Sequence, residues 1–326
     1  MNQESSLSVI RKLRPVDFII IMFGTFLSLF SVWHSGRISA WFFLLVVNIA
    51  VMASIIALAK AAARTEKKSV KIVFDWYPAL LVFFSFKEMH VIIQSMGRED
   101  FDGALIAIDR SMFGIDPTVW ISRFASPFLT EILQIAYASF YVIMIVLALE
   151  LYIRREEKNY NFVLLTIIYG FFLSYLGYLT FPAVGPRFTI HDFAATNAEL
   201  PGLWLSNGIR DIINAGESIP KGAVNPIMLA QRDAFPSGHT QMTLIVMILA
   251  ARFSVRSRYL LYILGTLLII GTVYLRYHYV IDLIAGAGFA VVTLWTAPRI
   301  KRWWEKEEMK AGKPSLPAAD GDSPRK

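Results

Sequence analysis

Apolar residues fall in runs of roughly 17 to 25 positions, the length an α-helix needs to cross about 30 Å of hydrocarbon, and polar or basic clusters separate the runs. They predict spanning helices over about 16–33, 39–62, 72–95, 128–153, 161–181, 236–254, 259–277 and 279–298. Membrane barrel strands would read as short alternating stretches instead. The expected fold is all-α: a polytopic membrane helical bundle of about eight transmembrane helices. Two segments do not read as spans. Over 100–125, Leu105, Ile106, Ile108, Met112 and Phe113 interleave with Asp102, Asp109, Arg110 and Asp116, the pattern of a short amphipathic helix lying in the interface, broken at Gly114 and Pro117. Residues 182–235 form a loop dotted with Pro and Gly, long enough to be either functional or disordered.

An even number of spans brings both termini to one side. The clusters Arg11/Lys12/Arg14, Arg64/Lys67/Lys68/Lys71, Arg154/Arg155/Lys158, Arg252/Arg256/Arg258 and Arg299/Lys301/Arg302/Lys306 all fall on that side, which the positive-inside rule makes the cytoplasm. The expected location is a cell inner membrane, with residues 182–235 on the outer face. The first span follows a basic stretch and lacks a small-residue cleavage site, so it is expected to be a retained helix. The expected organisation is two extra helices over 1–71, a six-helix core over 72–299 and a cytoplasmic tail over 300–326, polar and Pro-rich from 311 and expected to be disordered.

Composition narrows the function classes. With 56% hydrophobic and 17% charged residues the chain lies outside the ordinary soluble class. The net charge of +7 is accounted for by loops on one side of the membrane, so it does not call for a nucleic-acid partner. There is no cysteine, which excludes disulfides, thiolate metal sites and a cysteine nucleophile. No dense carboxylate cluster suggests a metal, and no cofactor is expected.

Candidate chemistry lies where apolar runs meet loops. Pro236-Ser237-Gly238-His239 precedes the run from Met242, so it should form the first turn of a helix, with free backbone N–H groups and the positive dipole end making an anion site. Gly238 permits close approach of an anion, and the Ser237 hydroxyl can add a donor. The plainer reading is an ordinary helix start with an interfacial histidine. His278 and Asp282 are four residues apart and share a helical face, so the carboxylate can accept from one imidazole nitrogen and leave the other as nucleophile; an isolated capping pair is the alternative. Arg187, in Gly185-Pro186-Arg187-Phe188, has the fork geometry that suits phosphate oxygens. Arg276 reads equally as a second phosphate ligand or a snorkelling arginine. Lys87, Glu88 and His90 in the third span either line a substrate cavity or tie helices together. In the eight-span topology Arg187, His239 and His278/Asp282 meet at one membrane face.

An arginine motif, Pro-Ser-Gly-His and then His-x3-Asp, in this order across roughly 72–298, resemble the type 2 phosphatidic acid phosphatase superfamily, with two extra helices in front of its six-span core. The usual first motif has a lysine seven residues before its arginine, where this chain has Thr180; the usual third motif has an arginine where this chain has Thr272. With Phe101-Asp102-x-x-Leu105-x-x-x-Asp109-x-x-x-Phe113-Gly114-x-x-Pro117 and Arg276-x-His278-Tyr279-x-x-Asp282, these departures resemble the inositol phosphorylceramide synthase branch.

The resemblance implies that His278 attacks phosphorus, Asp282 orients it, His239 protonates the leaving alkoxide and then activates the acceptor, and Arg187, Ser237 and Gly238 stabilise the transferred phosphoryl group. It implies membrane lipids as substrates and a phosphotransferase moving a headgroup, such as phosphoinositol, between lipids of the sphingolipid kind. A phosphatase on phosphatidyl or polyprenyl phosphates is the alternative within the family. A non-catalytic lipid-binding or transport protein is the alternative of another class.

Overall fold

The computed structural model describes residues 13–310, and all of its regular structure is helical. Arg11, Lys12 and the segment from 311 lie outside the described residues. The long helices are α1 (Pro15–Trp33), α2 (Trp41–Arg64) and α3 (Lys68–Met96), followed by the short α4 (Asp102–Phe113) and α5 (Pro117–Ile121). Then come α6 (Pro127–Ala138), α7 (Phe140–Ile153) and α8 (Glu157–Thr180). Residues 182–235 are not a bare loop: they carry α9 (Pro186–Thr189), α10 (Thr196–Glu199), α11 (Ser206–Gly216) and α12 (Pro226–Leu229). The chain closes with α13 (Gly238–Arg252), α14 (Arg258–Tyr274) and α15 (Val280–Lys310). Residues 300–310, expected as the start of the tail, are helical, because α15 continues unbroken through Pro298 to Lys310.

Among the described residues five helices are long and apolar enough to cross a membrane, and six if α6 and α7 form one broken span. The two remaining expected spans are α13 and α14, of 15 and 17 residues, shorter than the ~20 that a full crossing takes. Their ends nearest the histidines stop short: α13 starts only at Gly238, and α14 stops at Tyr274, before the turn that holds His278. The run at 128–153 is bent by 50° at Ser139, whose hydroxyl donates back to the Ala136 carbonyl at 2.6 Å. The bend places Tyr137 and Phe140 against one imidazole, described below.

Helix α8 is the hub. It packs against α1, α3, α7, α13 and α15, and 78% of its apolar stretch is buried in the protein, against 11–39% in the other candidate spans. A helix apolar all round is one that is surrounded. Small residues let neighbours close in: a Cβ at Gly170 would lie 2.6 Å from Met242 Cε. There Gln241 of α13 donates to the Gly170 carbonyl at 3.0 Å and to Thr293 Oγ1 of α15 at 3.1 Å, and accepts from Ser174. Satisfying each of its polar groups inside the bundle ties three helices together.

The basic loops gather at the opposite end from the histidines. Pro78 lacks an N–H, which frees the Phe74 carbonyl four residues earlier, and Arg14 fills that vacancy with an Nη2 donor at 2.6 Å while pairing with Asp17. Arg252 and Lys301 both sit over Phe162, and Phe18 packs on Trp303 and Trp304.

Helix α4 corrects one expectation. Its break at Gly114, in the left-handed region with φ 70°, falls as expected. Asp102 and Asp109, however, do not belong to a solvated polar face; they are 4% and 1% exposed. Seven residues apart on a helix, they project from one side, and each binds loop amides of the site.

Candidate active site

The loop between α14 and α15 turns within five residues. Arg276 takes φ 70°, and the amides of Tyr277 and His278 both reach back to the Thr272 carbonyl, at 2.9 and 3.1 Å. Asp109 then caps α15, accepting from Val280 N at 2.8 Å and Ile281 N at 2.9 Å. Asp282 accepts from Tyr279 N at 2.8 Å, so the His278 segment is clamped on both sides. Asp109→Ala leaves two amides without their carboxylate and should cost about 2 kcal/mol of stability. Thermal unfolding in detergent checks it: Tm falls and kcat falls with it, whereas a passive surface aspartate would change neither.

The neighbouring arginine loop is assembled by the same short helix. Gly185, at φ 91°, comes so close to the His278 loop that a Cβ would lie 2.6 Å from the Tyr277 carbonyl oxygen. Asp102 accepts from Val184 N at 3.0 Å, Gly185 N at 2.8 Å and the Tyr279 hydroxyl at 2.7 Å. Arg187 N donates to the Arg276 carbonyl at 3.0 Å. Two buried carboxylates on α4 thus fasten both polar loops together.

Pro236-Ser237-Gly238-His239 opens α13 as expected. Ser237 is the N-cap, its hydroxyl accepting from Thr240 N at 3.1 Å, and its own amide donates to the Asp282 carbonyl at 3.0 Å. The amides of Gly238 and His239 precede the first intrahelical bond, Gln241 N to Ser237 O. Helix α15 passes so near that a Cβ at Gly286 would lie 2.4 Å from the Ser237 carbonyl oxygen.

These elements bring the histidines together. His278 Nδ1 lies 2.8 Å from the Ala234 carbonyl, 3.4 Å from Asp282 Oδ2, and its Nε2 lies 3.3 Å from His239 Nδ1. A carbonyl can only accept, so Nδ1 carries the hydrogen and Nε2 presents a lone pair. The nearer orienting partner is thus the backbone of residue 234, with the Asp282 carboxylate behind it. His239 is sandwiched between Tyr137 and Phe140, at centroid distances of 4.5 and 4.2 Å.

Arg187 is 6% exposed, its guanidinium 4.8 Å from the Tyr277 ring centroid, and it is already occupied: Nη1 donates to Asn214 at 3.1 Å and Nη2 pairs with Glu217. An open-sided polar cavity of about 480 Å³ adjoins it, lined by Arg187, Arg210, Asn214 and Tyr277 among others. Arg276 is 3% exposed, so it does not snorkel; its guanidinium pairs with Glu199 and its carbonyl holds the Arg187 amide. Lys87 and Glu88 do not pair with each other. Lys87 donates to the Gly216 carbonyl and Ser218 hydroxyl beside Glu217, while Glu88 accepts from Asn48 of α2 at 2.6 Å, and His90 Nδ1 is buried without a partner.

Sequence reasoning missed Asp233, which stands within electrostatic reach of His278, Arg187 and Lys87. Burial pushes its carboxyl up, and the three cationic or titratable neighbours pull the other way. Burial also pushes the His278 imidazole down to about 4, with Asp233 opposing that shift and Arg187 adding to it. His278 is therefore neutral at ordinary pH. The acid limb of kcat/KM belonging to this group should lie near pH 4 instead of 6.5. Asp233→Asn removes a charge that favours the imidazolium, so in a pH–rate profile the limb should move lower still. A limb that stays in place would contradict the coupling.

A family model described as the PAP2 superfamily matches residues 103–296, more than half of the chain, including Asp109, Arg187, Asp233, His239, His278 and Asp282 of the site just described. The chain belongs to the PAP2 superfamily. It is a membrane protein and an enzyme of the phosphatase or phosphotransferase type acting on lipids. No match was found among curated proteins or among solved structures. The match begins after α3, so α1, α2 and α3 lie outside it. For this PAP2 chain the three motif segments lie together at one end of the bundle, with the 182–235 segment packed over them as a folded cap.

Proposed function

We propose that this PAP2 protein is a lipid phosphotransferase that moves a phosphorylated headgroup from one lipid to another through a phosphohistidine intermediate on His278. The observation that carries the reading is the lone pair of His278 Nε2, with its tautomer set by the Ala234 carbonyl, directed at a second imidazole 3.3 Å away. That separation leaves no room for a phosphoryl group, so the rings part when substrate arrives.

In the first half-reaction Nε2 attacks phosphorus and the bond from phosphorus to the leaving oxygen breaks. The anionic phosphodiester between the rings favours the imidazolium form of His239, which hands its proton to the leaving alkoxide. The positive charge gained by the His278 ring is met by Asp282, whose Oδ2 lies 3.4 Å from Nδ1 and whose Oδ1 is buried without a hydrogen-bond partner. Arg187, the Ser237 hydroxyl and the first-turn amides of α13 face the charge that spreads over the equatorial oxygens. In the second half-reaction His239 takes a proton from the acceptor hydroxyl, the acceptor oxygen bonds to phosphorus, and His278 is released.

With water as acceptor the same steps make a phosphatase on phosphatidyl or polyprenyl phosphates. The large polar cavity beside Arg187 favours transfer, because a bare lipid phosphate has no headgroup to fill it. Following the resemblance, phosphoinositol is the proposed headgroup and a ceramide-type or diacylglycerol hydroxyl the acceptor. The proposed orientation has the basic loops in the cytoplasm and the site on the outer face of an inner membrane. Lipid mass spectrometry of purified wild type and His278→Ala, given mixed phospholipids with and without ceramide or diacylglycerol, tests the reading. A new headgroup-bearing lipid made by wild type alone is expected. Release of phosphate without such a lipid makes the protein a phosphatase, and equal inertness of both proteins would favour a binding role.

A further inference from the structure

Lys87 of α3 has no part in the phosphoryl transfer, yet it stands within a candidate spanning helix, where an ammonium is costly without a partner. Its Nζ donates to the Gly216 carbonyl and, at 3.1 Å, to the Ser218 hydroxyl, the residues on either side of Glu217. Both acceptors are neutral. Among the described residues no carboxylate lies within ion-pair distance of this ammonium, although Asp233 stands within its electrostatic reach. Gln94, seven residues on and on the same face of α3, donates to the Met228 and Ala230 carbonyls at 3.2 and 3.1 Å, so this face of α3 carries the cap.

The end of α11 holds both polar partners of Arg187. Asn214 accepts from its Nη1, and Glu217, the residue after Gly216, pairs with its Nη2. The turn closes through Ser218 in the left-handed region, φ 69°, with Ile219 N bonded to the Asn214 carbonyl at 2.8 Å. A phosphate that takes Arg187 must evict the Glu217 carboxylate, whose side chain is only 14% exposed. Left beside the phosphate without a cation, that carboxylate would oppose binding.

We propose that Lys87 receives it: as phosphate takes Arg187, Glu217 changes rotamer to reach the ammonium that already holds residues 216 and 218, and it returns to Arg187 when the site empties. The proposal rests on the reading of Arg187 as a phosphate ligand, and it makes Lys87 a positioning residue that acts through Glu217. Gln231 keeps the turn in place meanwhile. Its Nε2 donates to the same two acceptors, the Gly216 carbonyl at 3.4 Å and the Ser218 hydroxyl at 3.3 Å, so Lys87 can spend a hydrogen on Glu217 without releasing the end of α11. Lys87 precedes the matched family region, so this exchange belongs to the helices this chain adds in front of it.

The test is a thermal-shift titration of the purified full chain in nanodiscs with inorganic phosphate, which reads binding at Arg187 without turnover. Lys87→Met should raise the phosphate Kd at least about tenfold, because the evicted carboxylate then has no cation. Lys87→Arg, which keeps the charge, should stay much closer to wild type. In a Glu217→Gln background the same Lys87→Met should change Kd by less than about twofold, since a neutral amide needs no receiver. A loss of the same size in both backgrounds would mean that Lys87 only supports the cap, and no loss with Glu217 present would mean that the carboxylate needs no receiver; either result overturns the proposal. If Lys87→Met melts early, Lys87→Gln, which keeps an amide donor and removes the charge, goes through the same comparison. Wild type that binds no phosphate, or Arg187→Ala that binds it equally well, would overturn the phosphate reading of Arg187 and the proposal with it.

Discussion

Replacing His278 with Asn should abolish turnover, with a loss of at least ~10⁴ in kcat and little change in the thermal melt. Asn keeps a polar amide near Ala234 and Asp282 but has no nitrogen lone pair to form a bond to phosphorus. His239 is poorly placed to take over as nucleophile: it presents Nδ1 to His278, and its ring is held by Tyr137 and Phe140. Asp282→Asn should cost less, on the order of 10², because the tautomer of His278 is set first by the Ala234 carbonyl at 2.8 Å and only then by the carboxylate at 3.4 Å. Single-turnover kinetics with a lipid phosphate separate the two variants. An Asp282→Asn enzyme as inert as His278→Asn would show that the carboxylate, and not the backbone, controls the ring.

The second large effect concerns Arg187. Its guanidinium is buried among Tyr277, Asn214 and Glu217, and a phosphate approaching it must displace the Glu217 carboxylate. Arg187→Ala should lower kcat/KM by roughly 10² to 10³, the usual loss when one preorganised donor to a developing anion is removed. Glu217→Gln should do the opposite to binding: KM falls by a few-fold, because the arginine no longer has a fixed anion to give up. Arg187→Lys should recover only part of the loss, since a point charge cannot replace a planar fork. Steady-state kinetics on the three variants checks the set, and a Glu217→Gln enzyme with a higher KM would show that Glu217 positions Arg187 and does not compete with substrate for it.

Much of this arrangement was legible in the residues. Apolar run lengths located the long helices to within about four residues, except for the end of α15, which runs twelve residues past its apolar stretch, because a membrane solvent imposes a length on the crossing but not on the helix beyond it. Pro236-Ser237-Gly238-His239 announced a helix start, and His278 and Asp282, read as sharing a helical face, do approach to 3.4 Å, although His278 lies in the turn before α15 and only Asp282 is on the helix. Other features were not legible, for physical reasons. The brevity of α13 and α14 comes from where the cap takes over the chain, which no hydropathy run records. Asp102 and Asp109 looked like the polar face of an interfacial helix, since charge pattern cannot distinguish water from loop amides as the acceptor's partner. Their seven-residue spacing was the available signal. Arg276 carried the right charge, but its buried guanidinium pairs with the half-exposed Glu199, and its backbone is left-handed. Asp233 gave no signal at all: its reach toward His278, Arg187 and Lys87 depends on three segments that meet only in the fold.

The most direct test of the central claim is to quench the purified enzyme during turnover of a lipid bearing a labelled phosphoryl group and to map the label by peptide mass spectrometry. The expected result is an acid-labile, base-stable phosphoryl group on His278 that forms and decays at rates compatible with kcat, and that is absent from His278→Asn. Full turnover with no label on His278 at any time would contradict the claim and leave direct transfer to the acceptor as the mechanism.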